Sequence, residues 1–228
     1  MLRTDDLLER CQMHLRKLLC LHETATHPAD IVQIAPQTGK IETLFDPNQA
    51  FDRLDLGHVK RLTWRNALGL EVYGDLVLPP GYRGDRPLPT IVTLYHSRGF
   101  LRGGTGNEYP VFLFAQRGFA VLSIERPAIF AERFPELTTF DAINAADLEN
   151  WSERRSVQSA IATGIERLVT RGIADPRRLG ITGLSDGASA ARFALINSDL
   201  FAAASISSCC VDESAPALAG PAWAEDSR

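Results

Sequence analysis

Residues Gly183-Leu184-Ser185-Asp186-Gly187 read G-x-S-x-G and stand between a strand-like run, Leu179-Gly180-Ile181-Thr182, and a small-residue helical run from Ala188 to Asn197. A serine at the tip of so sharp a strand-to-helix turn takes a strained backbone, and the positions two residues away on either side are crowded. Gly183 and Gly187 remove the side chains that would collide. The turn predicts a nucleophile at Ser185, with the Asp186 N–H and the positive end of the following helix dipole aimed where a tetrahedral oxyanion forms. The bare pentapeptide also occurs in ordinary glycine-rich loops; the strand before it and the helix after it favour the catalytic reading. Asp186 sits in the first helical turn, where its carboxylate suits the helix dipole better than a catalytic triad.

The elements that must position this serine alternate. Thr90-Ile91-Val92-Thr93-Leu94-Tyr95 is a continuous apolar run, as in a strand buried on both faces, and Phe119 to Ile124 is another. A helix is predicted over Glu108 to Arg117, ended by Gly118. A second helix is predicted where Trp151, Val157, Ile161, Ile165 and Leu168 recur at helical spacing up to Gly172. Phe201 to Ser207 follows the elbow helix as a further strand. Such alternation implies an α/β fold, a mostly parallel sheet with helices on both faces. Upstream, Val59 to Leu78 reads as a β-rich region turning at Asn66 to Gly69 and ended by Pro79-Pro80. Asp30 to Ile34 and Ile41 to Phe45 read as a hairpin around Pro36 to Lys40, marginal alone and therefore part of something larger. Residues 4 to 21 place Leu7, Leu8, Cys11, Leu15, Leu18 and Leu19 at helical spacing, which predicts an amphipathic helix.

Composition narrows the classes. At 228 residues, 45% hydrophobic and 23% charged, the chain is ordinary globular material. A net charge of -4 without any basic cluster argues against nucleic acid as a partner. The apolar stretches are strand-sized and the N-terminus lacks a signal-peptide core, so a cytoplasmic chain with no membrane partner is expected. Cys11, Cys20, Cys209 and Cys210 lack C-x-x-C spacing and are read as reduced thiols. No cofactor and no metal are expected. Gly103-Gly104-Thr105-Gly106 lacks the Lys-Ser/Thr of a phosphate loop and the spacing of a dinucleotide fold.

The order of elements resembles the α/β-hydrolase domain of the prolyl oligopeptidase family of serine peptidases. The resemblance is carried by Trp64 to Gly69, Tyr73 to Tyr82 and Phe114 to Leu122. Residues 25 to 48 look like the last strands of that family's β-propeller. Within the family, the loop from Leu94 to Pro110, the elbow, and Ser207-Ser208-Cys209-Cys210 are similar to the lasso peptide isopeptidases. Those enzymes open the macrolactam ring of threaded peptides. The resemblance implies two domains: residues 1-58, a helix and hairpin at the end of a propeller, and 59-228, the N-terminal part of the catalytic domain. It also implies a peptide substrate, with a lasso peptide as the narrower reading, and an oxyanion hole from backbone amides of the Tyr95 to Gly99 turn, with His96 and Ser97 named beside Asp186.

The departure from the family lies in the triad. In α/β-hydrolases the acid and the histidine follow the serine, whereas His14, His22, His27, His58 and His96 all precede Ser185. Asp212 and Glu213 come too early for the acid, and neither Glu225 nor Asp226 is assigned that role. The chain therefore reads as truncated at both ends, an enzyme segment with a nucleophile and no base. His96 is either a surrogate base or, as chain order favours, a loop residue beside the oxyanion hole. Arg98 and Arg102 are solvated loop residues or ligands for a substrate carboxylate. A catalytically silent domain that binds a peptide or protein is the alternative to a serine hydrolase.

Overall fold

The computed structural model describes residues 4–101 and 109–207. They form a mixed α/β structure with two sheets. The first is antiparallel, with β1 (Leu7–His14), β2 (Lys17–Glu23), β3 (Asp30–Ala35) and β4 (Lys40–Phe45) in sequence order. The helix expected over residues 4 to 21 is instead the β1–β2 hairpin. Leu15 and Arg16 both take positive φ, 46° and 67°, a two-residue turn whose twist matches that of the flanking strands. The turn throws Leu15 out to solvent. Pairing from Leu18↔Ile34 to His22↔Asp30 then commits β2 to β3, a long-range contact that local periodicity does not register. The expected hairpin is present as β3 and β4, within this larger sheet.

The cysteine expectation also changes. The β1–β2 register slips between Glu9 and Gln12, and Cys11 lies 4.2 Å from Cys20 between Cα atoms, joined to it in a disulfide. A bulge admits an extra residue and re-aims its neighbours, so two cysteines nine apart in sequence meet across a ladder that spacing rules do not cover. Cys20 packs with Val32 and Ile34 in a small core. Cys209 and Cys210 lie outside the described residues.

The second sheet has the order β10-β9-β7-β8-β6-β5. Its strands are β5 (His58–Arg65), β6 (Glu71–Leu78), β7 (Leu88–Tyr95), β8 (Ala120–Glu125), β9 (Ala174–Leu184) and β10 (Ala203–Ser207). β10, β9, β7 and β8 run parallel, and β6 and β5 continue antiparallel at one edge. Side-chain alternation on the strands sorts the two faces. Val77 and Val121 point to α1 (Val111–Gln116), while Leu76, Val92 and Leu122 point to α3 (Ser152–Thr170) and α4 (Asp186–Asn197). Helices thus cover both faces, as the alternation implied. A further helix, α2 (Phe140–Leu148), was not legible because none of its residues is buried.

Trp64 fixes α3 to this sheet. Its Nε1 donates to Ala160 O at 3.0 Å, and a Cβ at Gly164 would lie 3.0 Å from the indole. Glycine inside a helix costs roughly 0.5–1 kcal/mol against alanine, and close approach of the indole is the reason to keep it here. Asn66 adds a second tie, donating from Nδ2 to Ser156 while its Oδ1 accepts from the Leu68 and Leu70 amides of the β5–β6 turn. Among the described residues no helix is long and apolar enough to cross a membrane. Trp64→Ala removes a buried indole and orphans the Ala160 carbonyl, and is expected to cost about 3–5 kcal/mol. Urea unfolding reads this directly, and a loss below about 1 kcal/mol would contradict the role given to Trp64.

Candidate active site

β9 leads straight into Ser185, whose φ of 52° and ψ of -122° no ordinary strand or helix residue adopts. Holding a non-glycine residue there costs about 1–3 kcal/mol, which the neighbours on either side must enforce. The glycines show how. A Cβ at Gly183 would sit 2.2 Å from Gly187 O, and a Cβ at Gly187 would sit 2.8 Å from Leu94 O. Both contacts are with backbone, which cannot swing aside. Ser185 O accepts from the Ala188 and Ser189 amides, so α4 starts directly from the nucleophile position. Among the described residues Ser185 Oγ has no side-chain hydrogen-bond partner.

The second contact sets where the serine lies. β7 and β9 are paired up to Leu94↔Gly183, so the elbow emerges beside the end of β7 and the loop it feeds. Ligand sites in such sheets form at the carboxyl ends of the parallel strands, and this is that end. The loop begins with His96 and Ser97, and both are tied to Glu125 at the end of β8. The Ser97 N–H donates to Glu125 Oε2 at 2.6 Å, and His96 Nδ1 stands 3.1 Å from Glu125 Oε1 with its ring against Tyr95. In this arrangement the Ser97 amide is engaged, and no hydrogen bond joins His96 to Ser185. Arg98 is exposed; Arg102 and the Gly103 to Gly106 run lie outside the described residues, as do Asp212, Glu213, Glu225 and Asp226.

Beneath the loop is a buried ion pair. Asp75 takes Arg61 Nε and Nη2 at 3.0 and 2.9 Å, and its Oδ2 also accepts the Ser97 hydroxyl at 2.8 Å. Arg61 Nη2 reaches on to Ser97 O at 3.3 Å. Burial opposes the charge on Arg61, but Asp75 outweighs it and raises the guanidinium's pKa. Burial, helped by Glu125, likewise pushes the Tyr73 phenol up. The end of β2 and the loop after it support the same loop. Glu23 Oε2 accepts the Phe100 amide at 2.9 Å, and Leu101 N donates to Ala25 O at 3.0 Å. Gly99, at φ 59°, passes so near the Glu23 carboxylate that a side chain has no room.

A second charged cluster holds the elbow itself. Asp186 pairs with Arg154 Nη2 at 2.6 Å and Arg126 Nη1 at 3.3 Å, and Arg126 also bonds Glu153 Oε1 at 2.7 Å. Burial opposes the charge on Arg126, yet Asp186 and Glu153 more than compensate and raise its pKa. The Arg126 amide donates to Tyr95 O, closing the circuit between the ends of β7 and β8. Asp186 is therefore an ion-pairing residue as well as a helix-terminal acid. Arg126, Glu153, Arg154, Glu125, Asp75 and Arg61 were all missed from sequence. The one available signal was Glu125-Arg126 closing an apolar strand at its carboxyl end, since charges at that edge belong to sites more often than to cores.

No protein-family model matches the chain. It is 44% identical over 216 residues to the lasso peptide isopeptidase AtxE2 of Asticcacaulis excentricus, an alignment covering 94% of this chain and 31% of that protein. A solved structure of a serine-to-alanine AtxE2 variant with Astexin3-dC4 bound superposes with a TM-score of 0.89 at 42% identity, covering 94% of this chain and 33% of that one. An acylaminoacyl peptidase from Pyrococcus horikoshii shares the fold, with a TM-score of 0.64 at 24% identity over 90% of this chain and 31% of that one. The chain thus spans about a third of the length of the relatives it matches.

Asp75→Asn leaves Arg61 facing a neutral amide and loosens Ser97, and is expected to destabilise the fold by about 3 kcal/mol, near the low end for a broken buried pair. Chemical denaturation checks it. A change within about 0.5 kcal/mol would place the Asp75 cluster among surface pairs of no consequence.

Proposed function

Because the chain is homologous over nearly its whole length to a lasso peptide isopeptidase, and so belongs with the prolyl oligopeptidase family of serine peptidases, we propose that it is the nucleophile-bearing segment of an isopeptide-cleaving serine hydrolase. The observation that carries the reading is the backbone of Ser185, strained and walled in by Gly183 and Gly187 beside the end of β7. Ser185 Oγ attacks the carbonyl carbon of an amide or isopeptide bond, the C–O bond forms, the C–N bond breaks with the hydroxyl proton passing to the leaving amine, and water then cleaves the acyl-serine ester to release the carboxylic acid and restore the hydroxyl. The Asp186 N–H and the amide of His96 are the oxyanion donors. Ser97 braces that turn through Glu125 and Asp75, and His96 is a positioning residue, not the base. The substrate is a peptide with an isopeptide ring, of the lasso class.

The finer architecture belongs to the same reading. Residues 59-228 are the first part of an α/β-hydrolase domain, supported by the strand order, the elbow and the helices on both faces. Residues 1-58 are the end of a β-propeller, supported by the sequential antiparallel sheet. A peptide-binding domain without catalysis is the second reading, favoured by the lack of a side-chain partner for Ser185 Oγ among the described residues.

Fluorophosphonate labelling separates the two. With no base bonded to Ser185 among the described residues, the folded chain is expected to label at Ser185 and not in Ser185→Ala, at a rate lower by about 10⁴ than that of complete serine hydrolases. Labelling at the full rate that is lost in His96→Ala would make His96 the base. No labelling of folded protein after prolonged exposure would leave the binding reading.

A further inference from the structure

His27 lies far from Ser185 in sequence, in the loop between β2 and β3. Its Nδ1 stands 2.8 Å from the Pro28 carbonyl, which can only accept, so Nδ1 donates. Nε2, on the other side of the ring, faces two carboxylates, Asp46 Oδ2 at 3.4 Å and Asp52 Oδ1 at 3.6 Å. One ring nitrogen and two carboxylate oxygens thus converge within 4.8 Å of one another. Both distances exceed the 2.7–3.2 Å of an N–H···O hydrogen bond.

His22 offers an internal contrast. Its ring nitrogens stand 2.9 Å from Asp30 and 3.2 Å from Asp6, within reach of direct hydrogen bonds to each carboxylate. His27 instead holds its carboxylates at the spacing of ligands around a shared ion. Nitrogen and oxygen atoms about 2.0–2.2 Å from a tetrahedral zinc stand roughly 3.3–3.6 Å apart. One ring nitrogen to the metal and the other to a carbonyl is also how metal-binding histidines are oriented. Asp46 is aimed in the same way, its Oδ1 accepting from the Asn48 amide at 2.7 Å. A cavity of about 220 Å³ opens onto His27 and Asp52, with room for an ion and its water.

We propose that His27, Asp46 and Asp52 form a zinc site, with water completing the coordination. The three ligands come from the β2–β3 loop, the segment just after β4 and the 3-10 turn Gln49–Arg53, so the ion pins the connection between the two sheets. Phe51 of that turn packs edge-on against Phe100 at 5.3 Å, which places the site behind the loop that carries His96 and Ser97.

The test is titration of the chelator-stripped chain with Co²⁺, read by visible absorption, followed by displacement with Zn²⁺. The expected result is one Co²⁺ per chain with the intense bands of tetrahedral coordination, bleached by Zn²⁺. His27→Ala and Asp52→Asn should each weaken binding by about tenfold or more. Asp52 is 68% exposed on its side chain, so its amide variant keeps the fold, and circular dichroism verifies this for both. Absence of tetrahedral bands, or affinity unchanged in the two folded variants, overturns the site and leaves His27 as an ordinary surface ion pair.

Discussion

The arrangement depends on one backbone approach. α4 comes so close to the end of β7 that position 187 has no space for a Cβ, and the turn before it is so tight that position 183 has none either. Parallel pairing of β7 with β9 aligns Leu94 with Gly183 and so brings the strand to that contact. Everything else at the site follows from where these two strands end. Ser185 is placed two residues beyond the last β7–β9 pair, and the loop that starts at His96 begins two residues beyond it on the other strand.

That closeness explains the charged residues beneath. A loop leaving a buried strand must satisfy its first amides and carbonyls without a ladder partner. Here Glu125 takes the Ser97 amide, Arg61 reaches the Ser97 carbonyl, and Asp75 takes the Ser97 hydroxyl. Ser97 is fully buried, so each of these bonds replaces water that the site excludes. The antiparallel edge strands β5 and β6 contribute Arg61 and Asp75, while Glu125 comes from β8. The end of β2 and the loop after it add Glu23 and Ala25. The loop is thus clamped by both sheets.

What was legible in the sequence follows the range of the interactions involved. The elbow, the buried strands β7 and β8 and the long helix α3 are written in local patterns: glycine spacing, continuous apolar runs and helical periodicity. β1 and β2 were misread because Leu7, Leu8, Cys11, Leu15, Leu18 and Leu19 satisfy a helical period by accident of a turn at Leu15-Arg16, and only pairing with β3 reveals the strand. The Cys11–Cys20 disulfide depends on a bulge, which no spacing rule encodes. The ion pairs that Arg61, Arg126 and Arg154 make with Asp75, Glu153 and Asp186 join residues from 14 to 60 positions apart, so charge type was visible but partnership was not.

Asp186 poses an electrostatic problem that the fold resolves. A carboxylate one residue from the nucleophile would oppose any negative charge developing on a carbonyl oxygen there, because unlike a backbone amide it repels an oxyanion. Two guanidiniums hold Asp186, and one of them, Arg126, is also shared with Glu153, so the carboxylates and guanidiniums alternate around the elbow. The carboxylate's field is thereby largely cancelled locally, while its amide and the α4 dipole keep their positive sense toward Ser185. The same pairs tie α3, β8 and α4 together at the strand ends. An acidic residue at this position is tolerable beside a serine nucleophile because its charge is spent on the scaffold.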